Sequence, residues 1–125
     1  MTITGYFCGA GEGEELCMPD AQITVKADDV FEVDAVRGAS VPPHAEPWTK
    51  TYYMLFGRMG VLVGEEIYDL APGSSVTIPA GALNTFTVHS PTAKFLAIGA
   101  MGGFFRDASS GMALSDVLAR HGITL

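Results

Sequence analysis

With 14 acidic against seven basic side chains and a net charge of −7, the 125-residue chain is one domain by size. It is a poor match for nucleic acid or an anionic membrane, because neither steers toward an acidic surface. An apolar content of 48% is enough for a core without staples, since a chain of this length buries roughly two thirds of its unfolded surface.

Cys8 and Cys17 lack metal-site spacing, which predicts free thiols in a reduced, cytoplasmic setting. There is no basic, apolar leader and no run of about 18 apolar residues, so neither a signal peptide nor a membrane span is expected. Residues 2–8 read as a short strand and 9–15, GAGEGEE, as an exposed loop. The Gly-x-Gly in that loop is no nucleotide site, because acidic residues crowd it and no strand–helix context follows.

From residue 22 the pattern becomes strand-like. Residues 22–26 and 30–36 alternate polar and apolar, with Asp28 and Asp29 turning between them. Residues 37–40 break the run. The segment VPPHAE, residues 41–46, then puts His44 and Glu46 two apart, on the same face of an extended chain. Pro47, Trp48 and Thr49 form a bend. The aromatic-rich KTYYMLF, residues 50–56, reads as a strand with Lys50, Tyr52 and Met54 on one face, and it ends at Gly57. Strands are expected over 58–63 and 66–70, joined by a turn at Gly64 and Glu65. A turn at 71–74, a short strand at 76–78 and the Pro79-Ala80-Gly81 turn lead into strands at 84–89 and 93–100. Asn84, Phe86 and Val88 share a face of the former, which turns His89 the other way.

Short strands about every eight to twelve residues predict an all-β sandwich or small barrel. A helical pattern appears only near the end. Leu114, Val117, Leu118 and His121 recur at helical spacing, which predicts a helix over about 112–121 with Gly122 at its cap. This helix is expected to pack on the outside of the barrel.

These residues resemble the cupin superfamily. Its first motif is G-x5-H-x-H-x3,4-E-x6-G, and the series Gly38, His44, Ala45, Glu46, Lys50 and Gly57 follows that spacing throughout. Its second motif is G-x5-P-x-G-x2-H-x3-N, and Gly73, Pro79, Gly81 and Asn84 follow it. The resemblance covers about residues 22–100, with motifs at 38–57 and 73–88 and a short segment between them. It implies a single RmlC-like domain over 1–125, a double-stranded β-helix (jelly-roll barrel) with a short C-terminal α-helix. Met101-Gly102-Gly103-Phe104-Phe105 and the helix after it are similar to the quercetinase-like branch.

Metal-binding cupins take two His and one Glu from the first motif and a His from the second. The matching positions here hold His44, Glu46, Lys50 and Asn84, and only the first is the family residue. An ammonium and an amide do not replace imidazole and carboxylate as ligands. The resemblance with this departure therefore implies no bound cofactor. A divalent transition metal remains the rival expectation, held by His44, Glu46 and an unforeseen ligand.

Lys50 brings an ammonium to roughly where a cation would sit and is positioned to pair with Glu46. His44, Glu46 and Lys50 are the candidate catalytic set. His44 and Glu46 form the acid–base pair, with Glu46 either orienting the imidazole or acting as base. Trp48, Tyr52, Met54, Asn84, Phe86 and Phe31 are the candidate substrate-binding residues in a mostly apolar pocket. Arg37, Arg58 and Arg106 are scattered, as surface residues are. The reading is a metal-independent enzyme of specialised metabolism acting on a small apolar or aromatic substrate by cyclisation, isomerisation or dehydration. The alternatives are a metal-dependent quercetinase-like dioxygenase and a small-ligand-binding cupin without catalysis. A homodimer is also expected, since cupins commonly pair through sheet edges.

Overall fold

The computed structural model describes residues 3–18 and 20–125. Nine strands run in the order β1 Glu14–Met18, β2 Ala21–Ala27, β3 Val30–Val36, β4 Lys50–Phe56, β5 Met59–Val63, β6 Glu66–Leu70, β7 Ser75–Ile78, β8 Asn84–Val88 and β9 Thr92–Gly99. Two helices follow, α1 Gly102–Ser109 and α2 Leu114–Arg120. A six-stranded sheet has the order β1-β2-β3-β9-β4-β7, and a three-stranded sheet has the order β6-β5-β8. Every pairing between these strands is antiparallel.

The alternation read from the sequence sets the faces. Ile23 and Val25 of β2, Phe31, Val33 and Ala35 of β3, Tyr52 and Met54 of β4, and Ala93, Phe95 and Ala97 of β9 all point into one buried core. Met59 and Val61 of β5, with Val88 of β8, close it from the second sheet. Strand ends are set by backbone geometry as much as by burial. Gly57 ends β4 at φ +85, and a Cβ there would run into the Thr92 carbonyl oxygen, so no other residue fits without displacing β9.

The first part of the first motif, residues 38–49, has no long strand of its own. It is held by single bridges, Ser40 to Thr87 and His44 to Asn84 on β8, and Ala45 to Thr124 on its other side. The His44–Asn84 bridge is a reciprocal pair of backbone hydrogen bonds, with N···O distances of 3.0 and 2.8 Å. The two motif segments are thus hydrogen-bonded to each other.

Three expectations need correction. Residues 3–8 form no strand, and residue 2 lies outside the described residues. The loop expected over 9–15 gives way at Glu14 to β1, where pairing with β2 and the inward Leu16 outweigh the poor strand propensity of two glutamates. Helix α1 has no counterpart among the predicted elements, because two glycines open it. A Cβ on Gly102 would lie in ordinary contact, 3.4 Å from the Phe31 ring and 3.5 Å from the Asp28 carbonyl oxygen. Helix α2 falls within its predicted range. Its Leu114 and Leu118 face a cavity that opens into the barrel interior.

Candidate active site

That cavity has a volume of about 340 Å³. Its barrel wall includes Ile23, Val33, Tyr52, Phe86, Phe95 and Ala97, and its polar side chains include His44, Glu46 and Lys50. Tyr52, Phe86 and Phe95 meet edge-to-face, with ring centroids 5.1 to 6.0 Å apart, a favoured aromatic arrangement. Among the described lining residues, Tyr52 is the only further ionisable side chain.

The polar cluster is built around the Glu46 carboxylate, which is 6% exposed. Oε1 accepts from the Lys50 ammonium, from His44 Nε2 at 2.6 Å and, at the long end of the range, from Asn84 Nδ2 at 3.4 Å. Oε2 accepts from the Trp48 indole N–H at 2.9 Å. Burial disfavours the charged carboxylate. The His44 hydrogen bond and the Lys50 charge overcome that, holding the Glu46 pKa down to about 2. The same burial works against the Lys50 ammonium. Tyr52 and Glu46 outweigh it, and the Lys50 pKa lies above its ordinary value. Lys50 Nζ also lies 5.1 Å from the centre of the Tyr52 ring, within cation–π range.

Local sequence explains this convergence. Alternation on β4 turns Lys50 inward beside Tyr52. The extended 44–46 segment, strapped to Asn84 and Thr124, projects His44 and Glu46 to one side. His44 is oriented at both ring nitrogens: Nδ1 lies 2.8 Å from the Pro42 carbonyl oxygen and Nε2 lies against Glu46. Both neighbours are hydrogen-bond acceptors.

The structure brings together His44, Glu46, Lys50, Tyr52 and Phe86 around the cavity and places the other four candidates elsewhere. Phe31 and Met54 point inward, but they are packed fully into the core, Phe31 against the Phe105 ring at 5.0 Å. Asn84 is 2% exposed, and its amide is used on the His44 and Ala82 carbonyls and on Glu46. Trp48 supports Glu46 from behind and packs against Phe104 and His121. Sequence reasoning missed Phe95, which the alternation of 93–97 would have found. It also missed the wall supplied by Phe104, Leu118 and Ile123: the helical spacing marks Leu118 as an apolar-face residue, but nothing local says that this face meets the cavity.

A cupin domain profile matches residues 31–99, more than half of the chain. The chain belongs to the cupin family. Among solved structures, this cupin is similar to KdgF from Halomonas sp., with 22% identity, TM-score 0.66, and 77% of this chain and 93% of that one covered. It is equally similar in fold to the polyketide cyclase RemF from Streptomyces resistomycificus, with 20% identity, TM-score 0.66, and 77% and 79% covered. No curated protein matches the sequence.

Cupins that hold a metal do so at the positions occupied here by His44, Glu46, Lys50 and Asn84, and this donor set does not fit one. The Lys50 ammonium already occupies Glu46 Oε1, and the Asn84 amide presents N–H groups to its neighbours. Among the described residues, no three His, Cys, Asp or Glu side chains cluster as a metal site. No helix among them is long and apolar enough to cross a membrane.

Proposed function

We propose that this cupin is an enzyme that moves protons on a small apolar or aromatic substrate, by cyclisation, isomerisation or dehydration, through its own side chains. One observation carries the reading: a fully paired His44–Glu46–Lys50 cluster opens on an otherwise apolar, aromatic-walled cavity. Such a cavity with a few convergent polar groups suits a small organic molecule.

The roles divide by environment. Glu46 accepts from four side chains and stays ionised, so it orients His44 and balances its charge; it is not the base. His44 moves the proton through Nδ1, its less buried ring nitrogen, which exchanges the Pro42 carbonyl for the bound molecule while Nε2 stays on Glu46. Lys50 adds fixed positive charge that favours an oxygen gaining negative charge, such as an enolate or phenolate. The cyclase among the structural relatives agrees with this chemistry at the level of fold. A cytoplasmic setting and a homodimer belong to the same reading. The former draws on the free thiols of Cys8 and Cys17, and the latter on the exposed Tyr53 and Leu55 of β4.

Hydrogen–deuterium exchange at carbon tests it, whatever the net reaction. A panel of enolisable aromatic ketones, β-diketones and polyphenols is incubated with the protein in D2O and followed by mass spectrometry. Exchange at carbon above the buffer rate is expected for at least one class, and it should be lost in His44→Ala with the fold intact. Equal exchange by the native protein and His44→Ala would remove the assignment.

A further inference from the structure

The 31–99 stretch shared with the family supplies the polar cluster and the aromatic ring trio, but it leaves the cavity open on one side. Beyond it, β1 and β2 contribute Met18, Ala21 and Ile23, and the remaining wall comes from Met101, α1, α2 and residues 123–125. Two of them are unusual for a wall. Leu114 is 65% exposed and Leu125 is 75% exposed, yet both line the cavity, so they form its rim. A single exposed leucine needs no explanation, but an apolar rim continuous with an apolar cavity marks where a ligand is covered.

The C-terminal part of this segment is held at two points. Ala45 and Thr124 exchange two backbone hydrogen bonds, at 2.8 and 3.0 Å, and Ala45 lies between His44 and Glu46 of the polar cluster. His121 Nε2 lies 2.7 Å from Asp107 Oδ2, which ties α2 to α1. Trp48, which donates to Glu46, packs its ring on Phe104 and His121. The closing segment is thus registered against the polar cluster.

We propose that α2 and residues 123–125 are the specificity-determining wall of the site. Leu114, Leu118 and Leu125 contact the apolar body of the ligand, while its acidic oxygen faces His44 and Lys50. The ligand class is an organic anion, or an acidic phenol or enol, with an aromatic or aliphatic body long enough to reach the rim. This rests on the cavity being the site, as in the proposed function, but it does not depend on which proton transfer occurs there.

Anilinonaphthalene sulfonate, an aromatic anion with two ring systems, is the probe. Fluorescence titration of the native protein is expected to saturate at one probe per chain. Leu114→Asp, at an exposed position that does not threaten folding, is expected to weaken binding at least tenfold. Leu118→Trp, which fills the wall, should do the same, with thermal melting confirming that both variants are folded. Ile67→Asp, at an exposed position on β6 away from the cavity, should bind as the native protein does. If the native protein binds one probe and Leu114→Asp and Leu118→Trp bind equally well, the wall assignment is overturned and the cavity reading stands. If the native protein binds no probe, both fall.

Discussion

Replacing Glu46 with glutamine removes the charge on which the cluster converges and keeps its shape. The consequence can be worked from the carboxyl's two environments. Its pKa is about 2 in the fold against 4.5 ordinarily. At about 1.4 kcal/mol per unit, that gap stabilises the folded protein by about 3 kcal/mol at neutral pH. The group is depressed in the fold, so this contribution is complete above the unfolded pKa and disappears as pH falls through the folded one. About 2 kcal/mol of it is gone by about pH 3. An independent argument gives the same size: Glu46→Gln leaves the buried Lys50 ammonium without its countercharge, and breaking a buried pair costs roughly 3–5 kcal/mol. Urea unfolding of the native protein and of Glu46→Gln at several pH values reads both effects. The variant is expected to be about 3 kcal/mol less stable at pH 7, with the two stabilities converging toward pH 3. Other carboxylates titrate in both proteins and cancel in the difference. A constant difference across this range, or a variant as stable as the native protein at pH 7, would refute the account of Glu46 as a held anion.

Two further predictions concern the same cluster. Trp48→Phe keeps the ring packing on Phe104 but deletes the indole donor to Glu46 Oε2; a hydrogen bond to a buried charge is worth roughly 1.5–3 kcal/mol, so a loss of about 2 kcal/mol in urea unfolding is expected. Nickel, iron(II) or manganese should leave the native melting temperature unchanged, whereas the triple variant Glu46→His, Lys50→Glu, Asn84→His should gain about 5 °C or more at saturating metal. Equal stabilisation of the native protein would show that its own donors suffice for a metal.

Much of this architecture can be read in the chain because strands announce themselves by local alternation. β3 and β4 match their predicted ranges, and Gly57 and Gly81 mark turns whose positive φ demands glycine. Lys50 can be placed beside Glu46 because side-chain parity and the motif spacing agree. Parity distinguishes inside from outside, but it does not separate packed core from cavity wall. Phe31 and Met54 therefore look equivalent to Tyr52 until the three-dimensional arrangement separates them. The apolar wall from α1 and α2 is less legible still. Gly102 and Gly103 argue against a helix locally, and the Phe31 ring beside which Gly102 packs lies far earlier in the chain. The saturation of Glu46 is hidden for the same reason. Trp48 and Asn84 read as ligand contacts because each is a polar-tipped residue near the motif, yet both turn their N–H groups on the carboxylate.

Trp48 is the chain's single tryptophan. Its indole N–H reports on the charge state of Glu46, and its ring touches both Phe104, on the helical wall, and His121, a side chain whose protonated form quenches indole emission. Intrinsic fluorescence from this one site therefore carries two signals without any label: acid titration of the buried carboxylate, and displacement of the helices when the cavity fills. A stopped-flow trace at the tryptophan band would time ligand entry at the same residue that holds the anion in place.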